Sequence, residues 1–176
     1  SMVVCNDHEE VGSVSAAGAQ GTFLKSVLSR CLAASDNSGE ALERCVRKSV
    51  MLSVDNTHGV HPNFTDKHDD KHCPLLNGGP AIKVNANQRY ASNSDSIALF
   101  RALCDEAGIE VQQFVSRADL ACGSTIGPLT AAEIGIPTVD LGVATFAMHS
   151  IRELGGSRDP ALLQQAMTLF FNRGLA

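Results

Sequence analysis

The 176-residue sequence contains no tryptophan and a single tyrosine, and aromatic side chains make up 5% of it. Its core must be assembled mainly from Ala, Val, Leu and Ile, a set that suits alternating strands and helices. No apolar run is long enough to cross a bilayer, and no basic start followed by an apolar stretch and a small-residue cleavage site marks a signal peptide. No basic tract is present either: 14 Lys and Arg are scattered among 19 Asp and Glu, for a net charge of −5, so a nucleic acid finds no electrostatic footprint. The six cysteines (Cys5, Cys31, Cys45, Cys73, Cys104, Cys122) form no CxxC pair and no dense framework. Reduced thiols are expected, and with them a soluble, cytoplasmic protein with no membrane or nucleic-acid partner.

What is present is enough for one domain, since 44% of the residues are hydrophobic. Residues 50–54 have the length and apolar density of a strand covered on both faces, and the run stops at Asp55, followed by His58 and His61. Residues 3–5 read as another short strand, leading into Asn6-Asp7-His8-Glu9-Glu10. Phe23, Leu24, Val27, Leu28, Cys31 and Leu32 recur at helical spacing, and residues 40–47 repeat the pattern more briefly. Residues 56–79 keep no period and form a long loop of the kind that carries function. Further strands are expected at 80–85, 111–115 and 136–141. Between and after them come a helix capped by Asn93 or Ser94 and stopped by Gly108, one opening after Pro128, and one starting at Pro160. The alternation predicts an α/β fold with a mostly parallel sheet and helices on both faces.

Open α/β sheets place their chemistry beyond the carboxyl ends of the strands. Glu9, Glu10, Asp55 and His149 each follow a predicted strand, so such a sheet would bring them to one edge. Carboxylates and imidazole are the ligands of borderline divalent metals, and one of two adjacent glutamates can bind metal while the other serves as general base. A solvated Glu9-Glu10 turn and a core His149 are the competing reading. His68 and His72 stand at helical i, i+4 spacing, but without an apolar helical face a hydrogen-bonded loop is the expectation there. Cys122-Gly123-Ser124-Thr125 offers either a nucleophile or backbone N–H groups at a helix start. Lys83 either pairs with an acidic substrate group or is an ordinary exposed lysine.

Five segments, Asp7-His8-Glu9-Glu10-Val11-Gly12-Ser13, Asp55-x-x-His58-x-x-His61-Pro62-Asn63, Gly79-Pro80-x-Ile82-Lys83-x-Asn85-x-x-Gln88-Arg89-Tyr90, Cys122-Gly123-Ser124-Thr125-Ile126-Gly127-Pro128 and Met148-His149-Ser150-Ile151-Arg152-Glu153, together closely resemble the aspartyl aminopeptidase family of dinuclear zinc exopeptidases. The resemblance covers almost the whole chain and keeps the family's motif order. It implies a three-layer α/β sandwich of the zinc-exopeptidase type and a metal-dependent aminopeptidase that releases N-terminal Asp or Glu from peptides by attack of a metal-activated water. It implies two divalent ions, zinc with Mn or Co as alternatives, with Glu9 as general base, Glu10 and His149 on one metal and Asp55 on the other. Lys83 and Tyr90 would recognise the acidic side chain, with His58 near the scissile carbonyl and Gly123 and Ser124 lining the pocket. Family members carry a further metal-binding histidine and a metal-bridging aspartate before the paired glutamates, and an inserted dimerisation domain. This sequence shows none of these, so residues 1–176 are expected to be the C-terminal portion of one catalytic domain, with little turnover alone. A homo-oligomer is expected of the full-length protein, and the second reading is a non-catalytic structural or assembly module.

Overall fold

A computed structural model describes residues 1–35, 38–117, 119–123 and 126–173. Helices α1 (Phe23–Ala33) and α2 (Ala41–Arg47) precede strand β1 (Met51–Val54), then β2 (Thr57–His58) and β3 (Ala81–Val84). Helix α3 (Ser94–Glu106), β4 (Gln112–Val115), α4 (Gly127–Ile134), β5 (Thr138–Gly142), β6 (Ala144–Phe146), β7 (Leu154–Gly155) and α5 (Asp159–Arg173) complete the order. A four-stranded sheet runs β1-β5-β3-β4 and a smaller one β2-β6-β7. In the larger sheet β1 is parallel to β5 and β3 to β4, while β3 and β5 run antiparallel, so the expected mostly parallel sheet holds with one reversed seam.

Side chains alternate across a strand, and this sheet uses the two faces for different purposes. Leu52, Val54, Ile82, Val84, Val139 and Leu141 face a core completed by Phe100, Leu103 and Cys104 of α3, Ile109, and Ala166 of α5. Phe100 is fully buried there, a burial that contributes roughly 1.5–3 kcal/mol. The opposite face carries Ser53 beside Asp140 and Lys83 beside Phe114. The start of α4 covers that side: a Cβ on Gly127 would fall 2.0 Å from Asp140 Oδ1. Helices on both faces of one sheet make the α/β layering that the sequence predicts.

Local signals act as expected at several ends. Asn93 Oδ1 accepts from Asp95 N (3.1 Å) and Ser96 N (3.0 Å) while Ser96 Oγ accepts from Asn93 N (3.1 Å), a capping box that starts α3. Gly108, at φ +65°, lies just past its end. Pro160 sits in the first turn of α5.

Two expectations need correction. Residues 3–5 form no strand: among the described residues no strand pairs with them, and Val3 is 70% exposed. β-propensity without a hydrogen-bonding partner leaves the chain extended and unpaired. The strand at 51–54 lies at the sheet edge and, apart from Ser53, is only half-buried, so it is not covered on both faces as its apolar run suggested. Helix α1 has the predicted bounds but buries none of its residues, and Phe23 stays 61% exposed.

Candidate metal and substrate site

The site gathers beyond β1 and over the polar face of the sheet. Asp55 leaves β1 with its N–H still bonded to Leu141 O (3.0 Å). The chain passes β5 so closely here that a Cβ on Gly142 would fall 1.6 Å from Asp55 O, so only glycine fits. Lys83 rises from the middle of β3 towards this point. It is 2% exposed, and its Nζ donates to Asp55 Oδ2 (3.0 Å) and to Asn56 O (3.1 Å). The ammonium also lies 5.3 Å from the centre of the Tyr90 ring, within the range of a cation–π contact. Lys83 is thus no ordinary surface lysine: a buried ammonium needs this carboxylate to offset its lost hydration.

Tyr90 is placed by the turn before it. Asn85 Oδ1 accepts from Asn87 N (2.9 Å) and Arg89 N (3.4 Å), and Gln88 adopts φ +56°, which folds the chain back after β3. The next residues are held by Asp140, whose Oδ2 accepts from Ala91 N (2.5 Å) while Ser92 Oγ bonds both the N–H and the C=O of Asp140. Burial pushes the Tyr90 phenol well above its ordinary pKa, and the adjoining Cys122 thiol adds to the shift. Burial also raises the Asp140 pKa, against the pull of Ser53, Ala91 N–H and Lys83; the Ser53 hydroxyl lies near the carboxyl group yet makes no hydrogen bond of ordinary geometry.

Around Phe114, the register partner of Lys83, three rings assemble: His58 at 6.4 Å, His68 at 6.0 Å and Tyr90 at 6.3 Å between centroids. Desolvation lowers the His58 pKa, with Lys83 and then His149 acting in the same direction and Asp55 opposing them. One imidazole therefore senses three of the residues singled out in the sequence.

Glu9 and Glu10 lie in a single 3-10 turn, Glu9–Val11, rather than at a strand end. Left-handed His8 (φ 58°) and Gly12 (φ 99°) close it, with Gly12 N–H bonded to Glu9 O at 2.9 Å. His149 comes from the other end of the chain, in a turn after β6 where Ala147 (φ 53°) and His149 itself (φ 65°) are left-handed. Such backbone costs about 1–3 kcal/mol per residue and here fixes the direction of the imidazole. Glu10 Oε2 and His149 Nε2 meet at 3.0 Å. Two ligands on a tetrahedral zinc, each bonded at about 2.0–2.1 Å, lie roughly 3.3 Å apart. At 3.0 Å the two groups form an ion pair, somewhat closer than two corners of such a shell, and both are of types that bind zinc.

The structure thus brings Glu10 to His149 and Asp55 to Lys83, with His58 close to both pairs. Among the described residues no three His, Cys, Asp or Glu side chains converge as one metal shell. The His68–His72 alternative forms no helix: His72 Nδ1 pairs with Asp69 Oδ1 at 2.5 Å, and His68 turns inward against Phe114. Cys122 faces Tyr90, its carbonyl accepts from Arg89 Nη2 (3.5 Å), and Gly123 beside it is exposed. Ser124 lies outside the described residues. Asp140 and Phe114 escaped the sequence reading; a carboxylate inside the apolar run Val139-Asp140-Leu141 was the available signal for the first.

The family model for aminopeptidase I zinc metalloprotease (M18) matches residues 1–171. A probable M18 family aminopeptidase 2 of Pseudomonas aeruginosa (strain UCBPP-PA14) is 55% identical over 170 residues, 97% of this chain and 39% of that protein. The chain therefore spans about two fifths of the length of the curated relatives it matches. Among solved structures, a complex of Ape4 with Nbr1 superposes with a TM-score of 0.89 at 43% identity, covering 93% of this chain and 31% of the other. The S. cerevisiae mApe1 dodecamer gives 0.83 at 34% identity, covering 94% and 36%. Helices flanking a mixed sheet, a family model matching residues 1–171 and a 55% identical relative covering 97% of this chain place this protein in the aminopeptidase I zinc metalloprotease (M18) family.

Proposed function

We propose that residues 1–176 supply the acid-recognising part of a dinuclear metal centre in an aminopeptidase that releases N-terminal Asp or Glu from peptides. The observation that carries the acidic preference is the Lys83 ammonium, buried to 2% exposure beside Tyr90 and aimed at the mouth where Asp55 and His58 stand. A cation held in so little water discriminates strongly between a substrate carboxylate and a neutral side chain.

Glu10 and His149 would hold one zinc and Asp55 the other, with Mn or Co as substitutes. When bound, such ions would supply Lewis-acid polarisation of the scissile carbonyl and of the attacking water. Glu9, next to Glu10 in the same turn, would take the proton from the attacking water and return it to the leaving amine. His58 lies by the scissile carbonyl, Tyr90 packs the substrate side chain against Lys83, and Gly123 lines the pocket. In this reading the chain is the C-terminal portion of one catalytic domain, cytoplasmic and homo-oligomeric in the full-length protein. Alone it turns over little substrate, because no three candidate ligands converge among its described residues.

The test is hydrolysis of peptides beginning with Asp, Glu, Ala or Leu, measured on this chain and on the chain joined to the upstream length its relatives carry. Cleavage of Asp and Glu substrates that Lys83→Met abolishes supports the reading. Equal rates on Leu and Asp peptides sink it.

A further inference from the structure

Asp140 stands in the middle of the apolar run Val139-Asp140-Leu141, 1% exposed, and the roles assigned above make no use of it. A buried carboxylate is a poor route to stability, since an apolar side chain of similar volume would fill the same strand position without the cost of desolvating a charge. What sets this one apart is what it holds. Its Oδ2 accepts from Ala91 N (2.5 Å), the N–H of the peptide that leaves Tyr90, while Ser92 Oγ accepts from Asp140 N (2.9 Å) and donates to Asp140 O (3.3 Å). Three hydrogen bonds within two residues therefore fasten the chain after Tyr90 to the centre of β5. Lys83 comes from the adjoining strand, where Ile82 pairs with Leu141, and the next residues along, Lys83 and Asp140, interact electrostatically. On a third side the carboxylate meets Gly127, the first residue of α4, where a Cβ would fall 2.0 Å from Oδ1.

We infer that Asp140 is a positioning residue for acid recognition: through Ala91 N–H it fixes the Tyr90 ring against the Lys83 ammonium and so sets the gap that receives an acidic side chain. This rests on the function proposed above and names a residue that acts through Tyr90 without touching substrate. The ring centre stands 5.3 Å from Lys83 Nζ, and on its other side Tyr90 meets Phe114 edge-on at 6.3 Å between centroids. Ring contacts of this kind tolerate sliding, whereas a hydrogen bond to the main chain fixes both distance and direction. The opposing arrangement has Asp140 act by charge, as a second counter-ion to Lys83 behind Asp55, with Tyr90 held by packing alone. The first arrangement needs only an oxygen acceptor at Asp140, and the second needs the negative charge. Asp140→Asn keeps an acceptor and loses the charge, while Asp140→Ala loses both.

The sequence has one tyrosine and no tryptophan, so the tyrosine emission of the 176-residue chain reports Tyr90 alone. Quenching of that emission by acrylamide is measured on the unmutated chain, Asp140→Asn, Asp140→Ala and Ser92→Ala, with far-UV circular dichroism to establish that each is folded. Asp140→Ala is expected to raise the quenching constant severalfold, Ser92→Ala to raise it less, and Asp140→Asn to leave it near that of the unmutated chain. Unchanged quenching in folded Asp140→Ala, or in folded Ser92→Ala should the first variant not fold, overturns the placement of Tyr90 by Asp140. Asp140→Asn quenched as strongly as Asp140→Ala overturns it in favour of the charge arrangement. Recognition is read on the chain joined to the upstream length its relatives carry. There Asp140→Ala should raise KM for a peptide beginning with Asp about tenfold, keep kcat within about twofold and leave KM for a Leu peptide unaltered. Equal losses on Asp and Leu peptides overturn the recognition role and leave Asp140 a residue of the fold. An unmutated protein that does not prefer Asp to Leu removes the acid-recognising function and its positioning residue together, whatever the quenching shows.

Discussion

Glu10 Oε2 lies 3.0 Å from His149 Nε2, joining a turn at the start of the chain to a turn near its end. Both side chains are mostly exposed, at 76% and 67%, so as an ion pair they add little to folding in water. In the function proposed above, the same two side chains would receive a cation, and their closeness would leave little reorganisation for that step.

Glu10→Ala and His149→Ala are expected to leave the Tm of the chain nearly unchanged while each weakens Zn2+ binding by at least about tenfold. Calorimetry of metal binding alongside thermal unfolding in chelator separates the two quantities. A large Tm loss with unchanged Zn2+ affinity would make the pair a structural contact.

Stability should fall as the solution is acidified below about pH 6.5, the ordinary imidazole value. Burial, and then nearby His58, hold the His68 pKa below that value, with a backbone interaction at Gly59 opposing them. Between the two values the unfolded chain binds the proton that the folded chain refuses, so the folded state loses stability as pH drops. Among the described residues His68 Nδ1 is buried without a hydrogen-bond partner, while the ring packs edge-on to Phe114. His68→Phe should keep the packing and flatten this part of the stability profile, followed by urea unfolding at a series of pH values.

Asp159→Ala should cost about 2–4 kcal/mol, because it orphans two backbone donors at once. The fully buried carboxylate accepts from Asn77 N (2.7 Å) and Gly79 N (3.0 Å), pinning the segment before β3 to the start of α5. Denaturant unfolding measures the loss. A change within 0.5 kcal/mol, roughly the effect of an ordinary surface substitution, would show that the loop holds without it.

Gly127→Ala tests the cover over the polar face. Its methyl group would meet the Asp140 carboxylate at 2.0 Å, and the shift needed to relieve the overlap should cost about 1–3 kcal/mol. Because Asp140 also accepts from Ala91 N, the strain is expected to reach Tyr90. A changed Tyr90 ring signal in NMR, together with lower stability, is the predicted outcome.

The sequence by itself determined the layering, the helices and the strands of the larger sheet, and the family. Period-2 and period-3.6 apolar patterns survive in any α/β packing, as do caps such as Asn93 and Pro160, because they answer to local backbone geometry. The motif order likewise singled out Glu10, Asp55, Lys83, Tyr90 and His149. Tertiary structure decided what those residues touch. Residues 3–5 have strand composition and no strand, since a ladder needs a partner that local propensity does not supply. Lys83 is buried and paired with Asp55, a fact of strand alternation and register that two segments far apart in sequence settle only when β1, β5 and β3 align. Asp140 and Phe114 gained their places beneath the site in the same way, because burial of a charge and the stacking of rings are properties of the assembled faces.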